Sequence, residues 1–237
     1  MKVFIGYDSR EDIAYKVCKN SILKRTERIE VYPLIQSDLR TKGLYSRGVD
    51  VLASTEFTFT RFLVPELVGF SGWALFMDCD MILQADIAEL FAQVDDKYAV
   101  MCVKHDYNPE ASIKMDGKAQ TVYPRKNWSS VMLFNCGHPS NSVLTKDLVN
   151  KPDISGAYLH RFSWLSDDEI GDLSQEWNWL VGHYHEPGHG KPKLLHYTEG
   201  GPWFENYVNC EYSDRWIAEL ADLTKIDKSI VKPNWIT

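Results

Sequence analysis

A chain of 237 residues is long enough for one well-buried core, and 44% hydrophobic against 25% charged residues excludes a disordered or low-complexity protein. A formal net charge of −7 opposes general binding to nucleic acid or an anionic membrane, while leaving room for a local basic site facing a phosphorylated ligand. No run of about 18 apolar residues is present, the first residues read as a strand rather than a leader, and Cys18, Cys79, Cys102, Cys136 and Cys210 are widely spaced and odd in number, so a cytoplasmic protein with free thiols and no integral membrane segment is expected.

In chain order, residues 2–6 form a first strand and Tyr7-Asp8-Ser9 the loop from which a helix starts. That helix covers 11–23, with Ile13, Val17 and Ile22 near one face and Asp8 or Ser9 placed to cap its exposed amides. Residues 29–34 read as a second strand, followed by a polar stretch through Asp50. This βαβ punctuation predicts a parallel sheet. A helix is expected over 57–68, with Phe59, Phe62, Leu63 and Leu67 on its apolar face and Arg61 departing from it. Next come a strand over 73–77, a short helix over 87–91, a strand over 98–103 and another over 130–135. The polar insert between the last two, 106–129, is longer than a normal connection and suits a wall of a substrate pocket. Asp167-Asp168-Glu169-Ile170-Gly171-Asp172-Leu173 combines clustered acids with an expected helix, ahead of Trp177, Trp179 and Leu180. Residues 205–237 are expected to form a helical extension of the same single domain.

Asp78-Cys79-Asp80 lies between the apolar run 73–77 and Ile82-Leu83, which offers two carboxylates at the mouth of a buried strand. Open α/β sheets keep their ligands at that position. Carboxylates at i and i+2 share a face of a strand, and burying them is costly unless a cation joins them; Mg²⁺ or Mn²⁺ suits the pair. A D-x-D step alone also describes a strand running out into a solvated loop. A second segment, Leu194-Leu195-His196-Tyr197-Thr198-Glu199-Gly200-Gly201-Pro202-Trp203, adds to it. Its short apolar run ends in an imidazole, and its two glycines let the backbone come close to a ligand. If the chain folds back so that His196 meets Asp78 and Asp80, the result is an O,O,N donor set with positions left for phosphate oxygens. A dinucleotide enzyme fails on its diagnostic loop, because Gly6-Tyr7-Asp8-Ser9-Arg10 lacks G-x-G-x-x-G, and there is no P-loop.

The ordered set Gly6-Tyr7-Asp8, Arg61, Asp78-Cys79-Asp80 and His196-Tyr197-Thr198 with Pro202-Trp203 resembles the glycogenin-like and lipopolysaccharide galactosyltransferase-like retaining enzymes of glycosyltransferase family 8, across residues 2–204. The resemblance implies one GT-A domain: an α/β fold with a Rossmann-like, mostly parallel mixed sheet flanked by helices. It implies a UDP-sugar donor, Mn²⁺ with Mg²⁺ as a substitute, and transfer of a hexose to a glycan or glycoconjugate hydroxyl with retained configuration. By that resemblance Asp78, Asp80 and His196 are the metal ligands, and Gly6, Tyr7 and Asp8 border the uracil and ribose. Arg61 organises the donor and Asp78, Cys79 belongs to the donor-binding step, and Asp106 contacts donor-sugar hydroxyls. Gly200, Gly201 and Trp203 line the diphosphate, and Asp168 or Asp167 lies near the reacting carbon. The chain departs from the family at three places. Gly201 precedes Pro202-Trp203 where the family has a lysine, Trp128-Ser129-Ser130 replaces a triplet such as Asn-Ala-Gly, and Asp168 stands where an amide is usual. Two other classes remain open: a nucleotide-sugar or carbohydrate-binding protein that keeps the scaffold without transfer, and a metal-dependent phosphodiesterase or nucleotidyltransferase.

Overall fold

The computed structural model describes residues 1–48, 53–106, 125–186 and 190–236. β1 (Lys2–Gly6) runs into a 3-10 turn at Ser9–Glu11, which Asp8 caps by accepting from the Arg10 amide, and α1 (Asp12–Leu23) follows. β2 (Glu30–Leu34) and α2 (Gln36–Thr41) complete the first βα run, and α2 occupies part of the stretch that reads in sequence as polar loop. Where the spacing predicts one helix over 57–68, the chain makes a 3-10 turn at Thr60–Leu63 and then a single α-helical turn, α3 (Val64–Leu67). Pro65 causes the break: it has no amide to donate and cannot sit inside a helix, but it suits a helix's first turn.

β3 (Trp73–Met77) and β4 (Met81–Leu83) flank the D-x-D step, and α4 (Ala88–Phe91) and β5 (Val100–Cys102) follow. Most of the predicted pocket-wall insert lies outside the described residues. Past it come β6 (Val131–Asn135), α5 (Lys146–Val149) and α6 (Gly156–His160). The acid cluster predicted as a helix is instead a 3-10 turn, Asp167–Glu169, closed by a capping box between Ser166 and Glu169, and β7 (Ile170–Asp172) begins at once. Strand pairing overrides the helical spacing here. Ile170 falls opposite Val100, and Gly171 lies so close to the Tyr98 ring that a Cβ would come within 2.5 Å of it. β8 (Trp179–Leu180), β9 (Leu194–His196) and α7 (Ser213–Ile226) complete the chain.

The main sheet has the order β2-β1-β3-β6-β5-β7. β1 is parallel to β2 and β3, β6 is antiparallel to β3 and β5, and β7 is parallel to β5. The central strands are buried on both faces, which explains why their sequences are unbroken apolar runs rather than alternating ones. A smaller sheet, β4-β9-β8, stands beside it. α1 lies between the two: Tyr15, Cys18 and Ile22 pack into the core of the main sheet, while Ala14 and Val17 join Ile82, Trp179, Leu195, Trp216 and Leu220 in a second cluster. Ser21 ties the layers together, because its buried hydroxyl donates to the Cys18 carbonyl and accepts from the Leu83 amide. Among the described residues of 205–236 the α-helix is confined to α7, whose Trp216 and Leu220 are core residues. Among the described residues no helix is long and apolar enough to cross a membrane.

Candidate metal and donor site

Strand register assembles the site. β3 ends with Met77 opposite Val131, the first residue of β6, so Asp78 emerges beside the residues preceding β6 and its amide donates to the Ser130 carbonyl at 3.0 Å. β4 pairs with β9 so that Met81 faces His196, and the Tyr197 amide donates to the Asp80 carbonyl at 2.9 Å. His196 is thereby brought against the D-x-D step: one ligand atom from each of Asp78, Asp80 and His196 lies within 4.8 Å of the others. Nε2 of His196 is 3.4 Å from Oδ2 of Asp80. Oδ1 of Asp80 is buried and has no hydrogen-bond partner. A buried carboxylate oxygen left this way costs about 1–3 kcal/mol or more, and a cation among the three side chains removes that cost. Two carboxylates and one imidazole are a donor set suited to Mg²⁺ or Mn²⁺, so the residues present fit a divalent ion.

Arg61, predicted to lie off the apolar face of a helix, is held in the 3-10 turn and only 5% exposed. Its Nη1 donates to Asp78 Oδ1 and to the Ser129 carbonyl, each at 2.8 Å. Its guanidinium carbon lies 5.0 Å from the centre of the Phe57 ring and 4.9 Å from that of Phe76, so aromatic faces take the rest of its charge. Gly6 makes room for this support, since a Cβ there would stand 2.4 Å from the Phe57 ring. Behind Ser129 is His160, whose Nδ1 lies 2.7 Å from the Ser129 hydroxyl.

A pocket of about 740 Å³ opens over these groups. Of the residues that the sequence singles out, Arg61, Asp78, Cys79, Asp80, His196 and Trp203 line it. Asp8 is fully buried, and its two oxygens accept from the Arg10 amide, Nε and Nη2 and from the Glu56 amide, at 2.7–3.2 Å. Burial pushes its carboxyl up, but the Arg10 and Glu56 hydrogen bonds and the Arg10 charge hold it below its ordinary value. The side chains that this turn presents to the pocket are those of Arg10 and Glu11. Tyr7 donates its hydroxyl to Asp12 at 3.0 Å. Gly200 adopts φ 133°, and at Gly201 an added Cβ would stand 2.0 Å from the Trp203 ring. Gly6, Tyr7, Asp8, Gly200 and Gly201 are not themselves lining residues. Asp106, Asp167 and Asp168 are exposed and also lie outside the lining, with Asp167 ion-paired to Arg125.

Sequence reasoning passes over several residues of the site. Glu11 lines the pocket, and its carboxyl is pushed up first by burial and then by the charges of Asp80 and Asp8, with Asp78 adding to the effect and Arg10 opposing it. Its only sequence signal is an acid three residues after Asp8. Asn178 Oδ1 lies 2.8 Å from Nδ1 of His196, and the residue is fully buried; an amide between Trp177 and Trp179 is its signal.

No protein-family model matches the sequence. Protein CDI of Arabidopsis thaliana is 53% identical over 231 residues, which cover 96% of this chain and 88% of that protein. The chain belongs to the CDI protein family. Among solved structures, the WbbM bifunctional glycosyltransferase aligns with 96% of this CDI-family chain at a TM-score of 0.66 and 16% identity, and the chain spans 52% of WbbM. The galactosyltransferase LgtC, in complex with donor and acceptor sugar analogs, aligns over 97% of this chain and 98% of its own at a TM-score of 0.56 and 11% identity. At such identities the likeness is one of fold, and the CDI-family chain has the GT-A fold of these glycosyltransferases.

Proposed function

We propose that the chain is a metal-dependent glycosyltransferase of the family 8 kind, which moves a hexose from a UDP-sugar to a glycan or glycoconjugate hydroxyl with retention of configuration. The observation that carries this reading is the meeting of Asp78, Asp80 and His196 at one pocket of a GT-A fold. Mn²⁺, or Mg²⁺ in its place, supplies a Lewis acid for the diphosphate leaving group. Arg61 keeps Asp78 in position and adds a buried positive charge. Arg10, clamped by Asp8, is the other cation of the lining, and it carries charge that position 201 cannot, because the Trp203 ring fills the space a side chain would need there. Against these two stand Asp78, Asp80, Glu199 and Glu205, so an anionic donor enters an acidic pocket and depends on the divalent ion for its affinity. Donor-sugar hydroxyls are assigned to Asp106. The exposure of Asp167 and Asp168 favours attack by the acceptor on the face that UDP leaves, with the leaving phosphate taking the acceptor proton, over a covalent sugar on either acid. Five unpaired thiols, four of them buried, suit a reducing cytoplasm.

A Mn²⁺-dependent donor-hydrolysis screen with mass analysis of products tests this reading. Release of intact UDP from a UDP-hexose is expected, and preference for a GDP-sugar over every UDP-sugar would overturn the nucleotide assignment. Asp80→Asn should fold and lose at least about 100-fold in Mn²⁺-dependent transfer; undiminished transfer in that variant sinks the metal site. A second reading, binding without transfer, is favoured by the two acids standing outside the pocket. Tight UDP binding with Mn²⁺ and no turnover over a broad donor and acceptor screen would select it.

A further inference from the structure

Asn127, Ser130, Asn178 and His196 form one chain of hydrogen bonds whose direction is set at a single atom. The Asn127 carbonyl can only accept, and the Ser130 hydroxyl lies 2.7 Å from it, so the hydroxyl proton points there. What Ser130 Oγ turns toward Asn178, 2.9 Å away, is therefore a lone pair, and the group that meets it has to be the Asn178 NH₂. The same NH₂ lies 3.5 Å from the Asn127 carbonyl, which again fits a donor and not an oxygen. With its NH₂ placed on that side, Asn178 presents Oδ1 to Nδ1 of His196 at 2.8 Å, and Nδ1 must carry the proton. A neutral imidazole protonated on Nδ1 has its lone pair on Nε2, the nitrogen 3.4 Å from Asp80. His196 is 2% exposed, Asn178 0% and Ser130 4%, so water has little access to replace a missing link.

The reversed amide describes a different site. It would set the Asn178 oxygen against the Ser130 lone pair and its NH₂ against Nδ1, which would leave the proton on Nε2 and make His196 a donor to the Asp80 carboxylate. We propose that Ser130 and Asn178 are positioning residues that hold His196 in its Nδ1-protonated form and so make its Nε2 a metal ligand. Ser130 also fixes the other side of the donor set, because its carbonyl accepts from the Asp78 amide. Ser130, the last of the three residues at which the chain departs from the family triplet, thus has its work in the support of the metal ligands. This inference rests on the reading of Asp78, Asp80 and His196 as a divalent-cation site.

The test uses the full chain and Mn²⁺ alone, with no sugar. Long-range ¹H–¹⁵N NMR of the metal-free protein should show His196 with its proton on Nδ1, and calorimetric titration should give the Mn²⁺ affinity. Asn178→Leu, which removes the acceptor, should lose the uniform tautomer and bind Mn²⁺ about 10–100-fold more weakly. Asn178→Asp restores an acceptor and should keep both the tautomer and Mn²⁺ binding within about threefold of the original. Ser130→Ala should weaken Mn²⁺ binding by a smaller factor, with its melting temperature lowered only by the loss of two buried hydrogen bonds. A wild-type His196 protonated on Nε2, an Asn178→Leu affinity within twofold of wild type, or equal weakness in the Leu and Asp variants would overturn the proposal, the last by reducing Asn178 to packing. Where Asn178→Leu fails to fold, Ser130→Ala decides, and an unaltered tautomer and affinity in that variant overturns it. Absent sugar transfer alongside the expected tautomer and affinities would remove the transferase reading and leave the relay standing, whereas absent Mn²⁺ binding by the wild type would remove both.

Discussion

Gly201 is closed by its own neighbour. A Cβ would stand 2.0 Å from the Trp203 indole, and that ring is 4% exposed and packed against Tyr197 and Trp216 at centroid distances of 5.9 and 5.5 Å. Gly201→Ala has to move a buried tryptophan, so a loss of about 1–3 kcal/mol is expected in urea denaturation, and an unchanged midpoint would contradict the packing. Arg10 makes a second prediction at this scale. Arg10→Ala should weaken Mn²⁺-dependent UDP binding about tenfold while changing uridine binding little, because the lost guanidinium serves the charged part of the ligand; equal losses for both by calorimetry would assign Arg10 to the nucleoside instead. Asp78, Asp80 and His196 are legible in the sequence because each ends or follows an apolar run. Glu11, Ser130 and Asn178 are not, because their neighbours are created by strand register. Asp8 is legible as an acid at a strand mouth, but its engagement by Arg10, two residues on, depends on a 3-10 turn that no periodicity announces.

Whole elements were readable where burial is continuous. β1, β3 and β6 follow from unbroken apolar runs and α1 from its helical spacing, whereas the segments 57–68 and 167–173 carry helical spacing that Pro65 and the pairing of β7 with β5 override. The second cluster, in which α1 meets α7 and the smaller sheet, was hidden because its residues come from distant parts of the chain. Trp216 is its largest contribution from α7. Trp216→Ala should cost about 3–5 kcal/mol, measured by denaturant unfolding. Since Trp216 packs against the pocket-lining Trp203, the same variant should also weaken UDP binding; a cost below about 1 kcal/mol would show that α7 is not part of the cooperative core.

Across the whole molecule, acid should destabilise the fold through two histidines kept neutral. Burial first, and then the nearby charge of a protonated His196, lowers His105 to about 3; burial and then Arg61 lower His160 to about 3. Unfolded, both rings titrate near about 6.5. Between those values the unfolded chain binds protons that the folded chain refuses, so stability rises with pH across the window and falls as the medium is acidified. Each ring accounts for up to about 1.4 kcal/mol per pH unit. Melting temperatures should drop between about pH 6.5 and about pH 5, and less steeply in His105→Gln; a flat profile would contradict neutral burial. The joining of β4 to β9 has a consequence of another kind. All of β5 to β8 separates Asp80 from His196 in the chain, so a ribosome delivers both carboxylates long before the imidazole that completes the set. A nascent chain halted ahead of β9 has Arg61 for Asp78 but no third ligand, beside a strand that lacks its partner. On the proposed metal site, a titration with a divalent ion would therefore count the molecules whose late strand has docked.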